Sequence, residues 1–143
     1  MNDVIVNKIA SIQRCTQRAR EEFAADPDGF DTNFTRQDAA ALNVLRACEL
    51  AIDLANHVIK MRQLGIPTSS AESFDLLRQA GIIDADLTRQ LQKMVRFRNI
   101  IVHRYEHLEL SVLKGVITNS LDDLLAFGQR VLAFENTSTG KDT

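Results

Sequence analysis

The sequence predicts an all-α fold, an up-and-down bundle of about five helices. Apolar residues recur with helical period through each long segment, start and stop residues punctuate those segments, and almost nothing alternates as a strand would. Val4, Ile5, Ile9, Ile12, Cys15, Ala19 and Phe23 define a first helix over residues 3–24, which stops at the turn composition DPDGFD. Thr35 is placed to cap a second, longer helix reaching about Gln63, where GIP breaks the pattern. Ser69 followed by Glu72 reads as a capping box for a short third helix containing FDLLRQ, ended by Gly81 in a left-handed turn. Asp84 caps a fourth helix to roughly His103. A fifth, over about 109–134, carries Leu110, Leu113, Val116, Ile117, Leu121, Leu124, Leu125 and Val131 at helical spacing. The closing ENTSTGKDT has the composition of a disordered segment, so the expectation is one domain over residues 1–135 and a flexible tail over 136–143.

Composition narrows the function. A chain of 143 residues, 45% hydrophobic and with a formal net charge of −2, has enough apolar material for one core and too little positive charge to coat nucleic acid without regard to sequence. Any contact with RNA must therefore be concentrated at a local site. Cys15 and Cys48 lack metal-ligand spacing, so neither a disulfide framework nor a metal site is expected, and no cofactor is implied. No apolar run approaches membrane-spanning length and no charged start leads into an apolar leader, which makes the cytoplasm the expected location. Glycine-rich phosphate loops, nucleophile elbows and HExxH spacing are all missing.

Two helices hold the informative polar residues. At about 100° per residue, Val44, Leu45, Ala47, Cys48, Leu50, Ala51, Ile52, Leu54, Ala55, Val58 and Ile59 cover more than half of the second helix. Such width predicts burial on more than one side and suggests a homodimer. The remaining arc holds Arg46, Glu49, Asp53, Asn56, His57 and Lys60, of which His57 reads as a structural histidine. On the fourth helix, Leu87, Leu91, Met94, Val95, Val102 and Tyr105 form an apolar face with Arg98 near its middle, while Arg89, Lys93, Arg96 and Arg104 gather opposite as a solvated basic face.

Arg98 needs an explanation. An unpaired guanidinium on a buried face costs several kcal/mol, so it calls for a carboxylate or a phosphate. Glu49 or Asp53 of the second helix can supply the counter-charge, and a nucleic-acid phosphate can replace or join it. His103 lies five residues on, rotated by roughly 140° in an ideal helix, with Asn99 one turn before it. One straight helix cannot aim Arg98 and His103 at one atom: either it loosens near His103, or a groove, such as one at a two-fold interface, gathers them. A lone histidine near a helix end is also a common cap, and Tyr105 also reads as an interface aromatic with its hydroxyl at the rim. Glu106 and His107 read as surface residues.

Within RFRNIIVHRYEH, residues 96–107, Arg98 and Asn99, three further residues, His103, one residue and Tyr105 resemble the motif of HepT-type toxins of the HEPN family: Arg, four to six residues, His, any residue, Tyr. The segments IDLANHVIK, GIPTSSAESFDLL and SLDDLLAFGQRVL look like HepT-type chains too, so the likeness spans nearly everything before the tail. The resemblance implies a HEPN-like bundle acting as a homodimer, and a metal-independent endoribonuclease toxin of a type VII-like toxin–antitoxin system. It implies Arg98 and His103 as catalytic residues, Asn99 as a supporting polar residue, and tRNA or mRNA as the RNA substrate. It also implies control by a minimal nucleotidyltransferase antitoxin of the MntA type, which transfers AMP from ATP onto Tyr105. Glu49 and Asp53 enter as supporting polar residues from the helix projection alone.

These residue types suit that chemistry. RNA carries its own nucleophile, the 2'-hydroxyl, so the enzyme has only to move protons and stabilise charge growing on phosphorus. Imidazole suits both proton roles, and the guanidinium fork grips a phosphate more strongly as that charge develops. The products would be a 2',3'-cyclic phosphate and a 5'-hydroxyl. A different class stays open on the residues alone: a non-catalytic helical module that binds a nucleotidyltransferase or RNA through Arg98. So does a structural dimer in which Arg98 merely pairs with Asp53.

Overall fold

The computed structural model describes residues 2–142, with side chains through residue 137. Helix α1 (Asp3–Ala24) starts where the Asn2 side chain accepts from the amides of Val4 and Ile5. Ile5, Ile9, Ile12, Thr16 and Ala19, spaced by three or four residues, form its buried stripe, whereas Val4 points outward at 44% exposure. Phe23 meets Phe30 edge to face across the following turn, with centroids 5.1 Å apart.

Helix α2 (Phe34–Arg62) is capped by Asn33 and not by Thr35: the Asn33 side chain accepts from the Arg36 amide at 3.0 Å, which places Thr35 already inside the first turn. The helix ends with Gln63 in the left-handed region at φ 55°, its N–H returning to the carbonyls of Ile59 and Lys60. Helix α3 (Ser70–Gln79) begins at the expected Ser69 cap, which accepts from the Glu72 amide; the Glu72 carboxylate, however, reaches past Ser69 to the amide and hydroxyl of Thr68. Gly81 takes the left-handed conformation expected of it, at φ 80°.

Helix α4 (Ala85–His103) is capped by Asp84 and runs unbroken to His103. A single 3-10 turn follows, Tyr105–His107. The last predicted helix has an internal offset: α5 (Leu110–Gly115) passes through a π-helical turn, Val116–Ser120, into α6 (Leu121–Asp142). Helical backbone therefore continues beyond the end expected near 134, and the side chains of most of the anticipated 136–143 tail lie outside the described residues.

Helix α2 is the axis of the bundle. It packs against α1, α3, α4 and α6, and Ala47, Ala51 and Ala55, one turn apart and fully buried, keep it narrow enough for close approach. The wide apolar arc that suggested a homodimer is thus covered largely within the chain, so its width does not by itself require a second copy. Phe74 of α3 and Phe127 of α6, both buried, pack edge to face at 5.4 Å, a contact that contributes about 1 kcal/mol beyond the area it buries. No helix among the described residues is long and apolar enough to cross a membrane.

Candidate functional site around Arg98 and Tyr105

Along α4 the buried positions Leu91, Met94, Val95 and Ile101 bracket Arg98. The guanidinium is accordingly held inside the bundle, its side chain 19% exposed. Nη1 donates to Glu49 Oε1 of α2 at 3.0 Å, and Nη2 donates to the hydroxyl of Ser70, the first residue of α3, at 3.3 Å. One side chain therefore ties three helices together. Its Nε is buried and has no partner among the described residues, a donor left unsatisfied in a place where satisfying it is the rule.

Of the two carboxylates offered by the helix projection, Glu49 makes the pair. Asp53, one turn further along the same face, is exposed and lines a cleft of about 500 Å³ together with Arg14, Arg18 and Arg46. The pairing of Arg98 with Asp53 is not formed. Ser70 escaped the sequence reading because a serine in the first turn of a helix looks like capping chemistry, and nothing local announces an arginine 28 positions away.

The buried face of α4 is rotated slightly from the one that spacing predicts. Phe97 and Ile101 are buried, while Val102, on the expected arc, is 48% exposed. Period identifies a helix face without revealing how far along it the neighbouring helices reach, and Val102 sits on the last turn. Tyr105 is likewise not on the α4 face, because the helix has ended at Arg104, whose N–H bonds to the Ile100 carbonyl.

His103 and Asn99 share the other side of α4. Both are exposed, and with Ile100 and Arg104 they line a depression of about 350 Å³. Since α4 stays regular through His103, loosening of the helix does not bring the imidazole round to Arg98; within one chain the two side chains face different ways. Arg89, Lys93, Arg96 and Arg104 are exposed, the solvated face expected of them. His57, half-buried, lies 3.2 Å from the Asn2 amide nitrogen, a structural contact, and Glu106 and His107 are on the surface.

Tyr105 has a partner that the sequence did not reveal. Its hydroxyl donates to Oδ1 of Asp38, in the second turn of α2 and 67 positions away. Burial, and then the hydrogen bond to Asp38 and that carboxylate's charge, push the phenol up to about 12. A cavity of about 330 Å³ opens beside it, lined also by Phe34, Gln37, Glu106 and leucines. Behind the Arg98–Glu49 pair, Cys48 is buried, and its thiol is pushed up to about 12, first by burial and then by Glu49, with Arg98 opposing.

Comparison with known proteins gives this geometry its context. The profile of ribonuclease HepT-like proteins matches residues 9–131. An mRNA nuclease HepT from Shewanella oneidensis is 46% identical over 127 residues, covering 89% of this chain and 95% of that protein. Among solved structures, the tri-AMPylated Shewanella oneidensis HEPN toxin in complex with its MNT antitoxin superposes with a TM-score of 0.88 at 44% identity, covering 93% of this chain and 99% of that one. A toxin–antitoxin crystal structure with AMP-PNP superposes with a TM-score of 0.87 at 43% identity, covering 92% and 99%. With a family match over most of the chain and near-complete coverage by relatives of this similarity, the chain belongs to the HepT-like ribonuclease family.

Proposed function

We propose that this HepT-like ribonuclease is the toxin of a toxin–antitoxin pair, cutting RNA by attack of the substrate's own 2'-hydroxyl, and that a nucleotidyltransferase antitoxin silences it by placing AMP on Tyr105. The observation that carries the reading is Arg98: a guanidinium held in an apolar stripe, fixed by Glu49 and Ser70, with a third donor unused. A group so placed is ready to meet phosphate oxygens without first paying for its own ordering.

His103 is the proton carrier in this scheme, and Asn99 steadies it or the substrate from one turn away. Because the two side chains of one protomer face apart, the working cleft requires two copies, with the histidine of one chain presented toward the phosphate gripped by the arginine of its partner. Exposed apolar groups support an interface on this side: Leu42 at 45%, Val102 at 48% and Tyr105 at 40% exposure surround the α2–α4 surface near Ile101. One histidine then accepts the 2'-hydroxyl proton while its mate protonates the departing 5' oxygen. AMP on Tyr105 adds bulk and negative charge near the basic end of α4, where it competes with RNA.

Expression in cells tests the reading. Wild type should arrest growth, Arg98→Ala and His103→Ala should relieve it while remaining folded and dimeric, and co-expression with the antitoxin should rescue growth in a Tyr105-dependent way. Full toxicity in a well-folded His103→Ala variant would defeat the catalytic assignment.

A further inference from the structure

We propose that Asp38 is the general base that takes the phenolic proton of Tyr105 as the tyrosine receives AMP, so that the toxin supplies part of the machinery that silences it. The inference rests on the reading of Tyr105 as the AMP acceptor and adds a residue that neither the motif nor the comparisons assign.

Geometry is the ground for it. The Tyr105 hydroxyl already donates to Asp38 Oδ1, and the two residues come from different elements, the start of α2 and the turn after α4. Nothing in the chain's local order forces that meeting. Tyr105 is 40% exposed and Asp38 is exposed, so a nucleotide can approach the phenol oxygen while the carboxylate keeps its hold on the proton and later yields it to water. The cavity beside the pair holds one other titratable side chain, Glu106; Phe34, at 73% exposure, offers a ring at its edge. The phenol ordinarily keeps its proton far above neutral pH, and here burial holds it more firmly still. A nucleophile in that state needs a neighbouring acceptor, as activated hydroxyls generally do.

The step balances. The Tyr105 oxygen forms a bond to the α-phosphorus of ATP, the bond from that phosphorus to the bridging oxygen breaks, and pyrophosphate departs with its electron pair. The proton passes to Asp38 and then to water. Any AMP added to a nucleotide already in place is accepted by an oxygen of that nucleotide and not by the phenol, so Asp38 governs the first addition only.

Time-resolved intact mass, with the purified full-length chain, its nucleotidyltransferase and magnesium ATP, tests this. Asp38→Asn should slow the first addition at neutral pH by about a hundredfold or more, the range that general bases contribute. The variant's rate should then climb with pH as water generates phenolate, whereas wild type stays flat, and Asp38→Glu should recover part of the loss. At a matched extent of modification, the singly modified species should be scarcer than in wild type, because the later additions keep their rates. A wild-type rate in Asp38→Asn would overturn the proposal, as would a loss that affects each addition equally and ignores pH, the signature of a docking contact. Full modification of Tyr105→Phe would instead remove the acceptor assignment, and the role of Asp38 with it; its loss there alongside normal rates in Asp38→Asn leaves the acceptor standing and Asp38 refuted.

Discussion

Replacing Arg98 by methionine should cost the fold almost nothing, whereas truncating its partner should cost more. The pair is asymmetric: the Arg98 side chain is 19% exposed and that of Glu49 is 43% exposed. Glu49→Ala leaves a largely buried guanidinium with only the Ser70 hydroxyl, and breaking a buried pair in this way costs about 3–5 kcal/mol. Solvent screening at the Glu49 end reduces that to about 1–2 kcal/mol, since fully exposed pairs are worth under about 1 kcal/mol. Arg98→Met removes the charge, fills the stripe between Met94 and Ile101 with a similar volume, and leaves a carboxylate that water can reach. Its expected cost is within about 1 kcal/mol, as for other buried ions exchanged for apolar groups of similar volume. Urea unfolding at neutral pH and fixed protein concentration measures both, and in a chain of this length about 1 kcal/mol moves the thermal midpoint by about 3–4 °C. Toxicity should vanish in Arg98→Met despite its undiminished stability. Arg98→Met proving less stable than Glu49→Ala would refute the reasoning, because the guanidinium would then be a structural strut and not a group retained for chemistry.

The other outcomes can be read on the same protein. The sequence has one tyrosine and no tryptophan, so absorbance titration reports Tyr105 alone: its midpoint should lie near 12, and Asp38→Asn should bring it down toward the ordinary value of 10. Because the folded-state value is the higher one, stability tied to this group is intact below about pH 10 and is lost as the pH rises toward 12. Of the two free thiols, Cys15 should react with a thiol reagent in the native protein and Cys48 only after unfolding; equal native rates would mean that the helix packing around Cys48 opens readily. Arg62→Ala should destabilise by about 2–3 kcal/mol, since Glu135 is buried and both of its oxygens accept from Arg62 at 3.0 Å; a loss below about 0.5 kcal/mol would show that the end of α6 is not docked.

Much of this architecture was legible because it is local. Asp84, Ser69 and Gly81 mark helix ends by chemistry that operates over a few residues, and the stripe of α1 follows from spacing alone. The cap of α2 was misplaced by two residues, since Asn33 and Thr35 are both competent and only backbone geometry decides between them. Arg98 was legible as a charge on an apolar face, and Glu49 as one of two counter-charges. The contacts with Ser70 and Asp38 were not, because each joins residues from separate elements and no period or cap encodes such a meeting. Tyr105 was projected onto α4 because a helical wheel carries no sign of where the helix stops. The polar pair Arg98 and His103 shows the complementary limit: spacing correctly placed them on different sides, and the structure kept them there.

The most direct test of the account is the chemistry of the cut ends. Purified wild-type protein incubated with RNA in the presence of a chelator should generate 2',3'-cyclic phosphate and 5'-hydroxyl termini, and Arg98→Ala and His103→Ala should each abolish them. Ends bearing 5'-phosphate, or cyclic phosphate formed undiminished by both variants, would contradict the assignment of cleavage to these two residues.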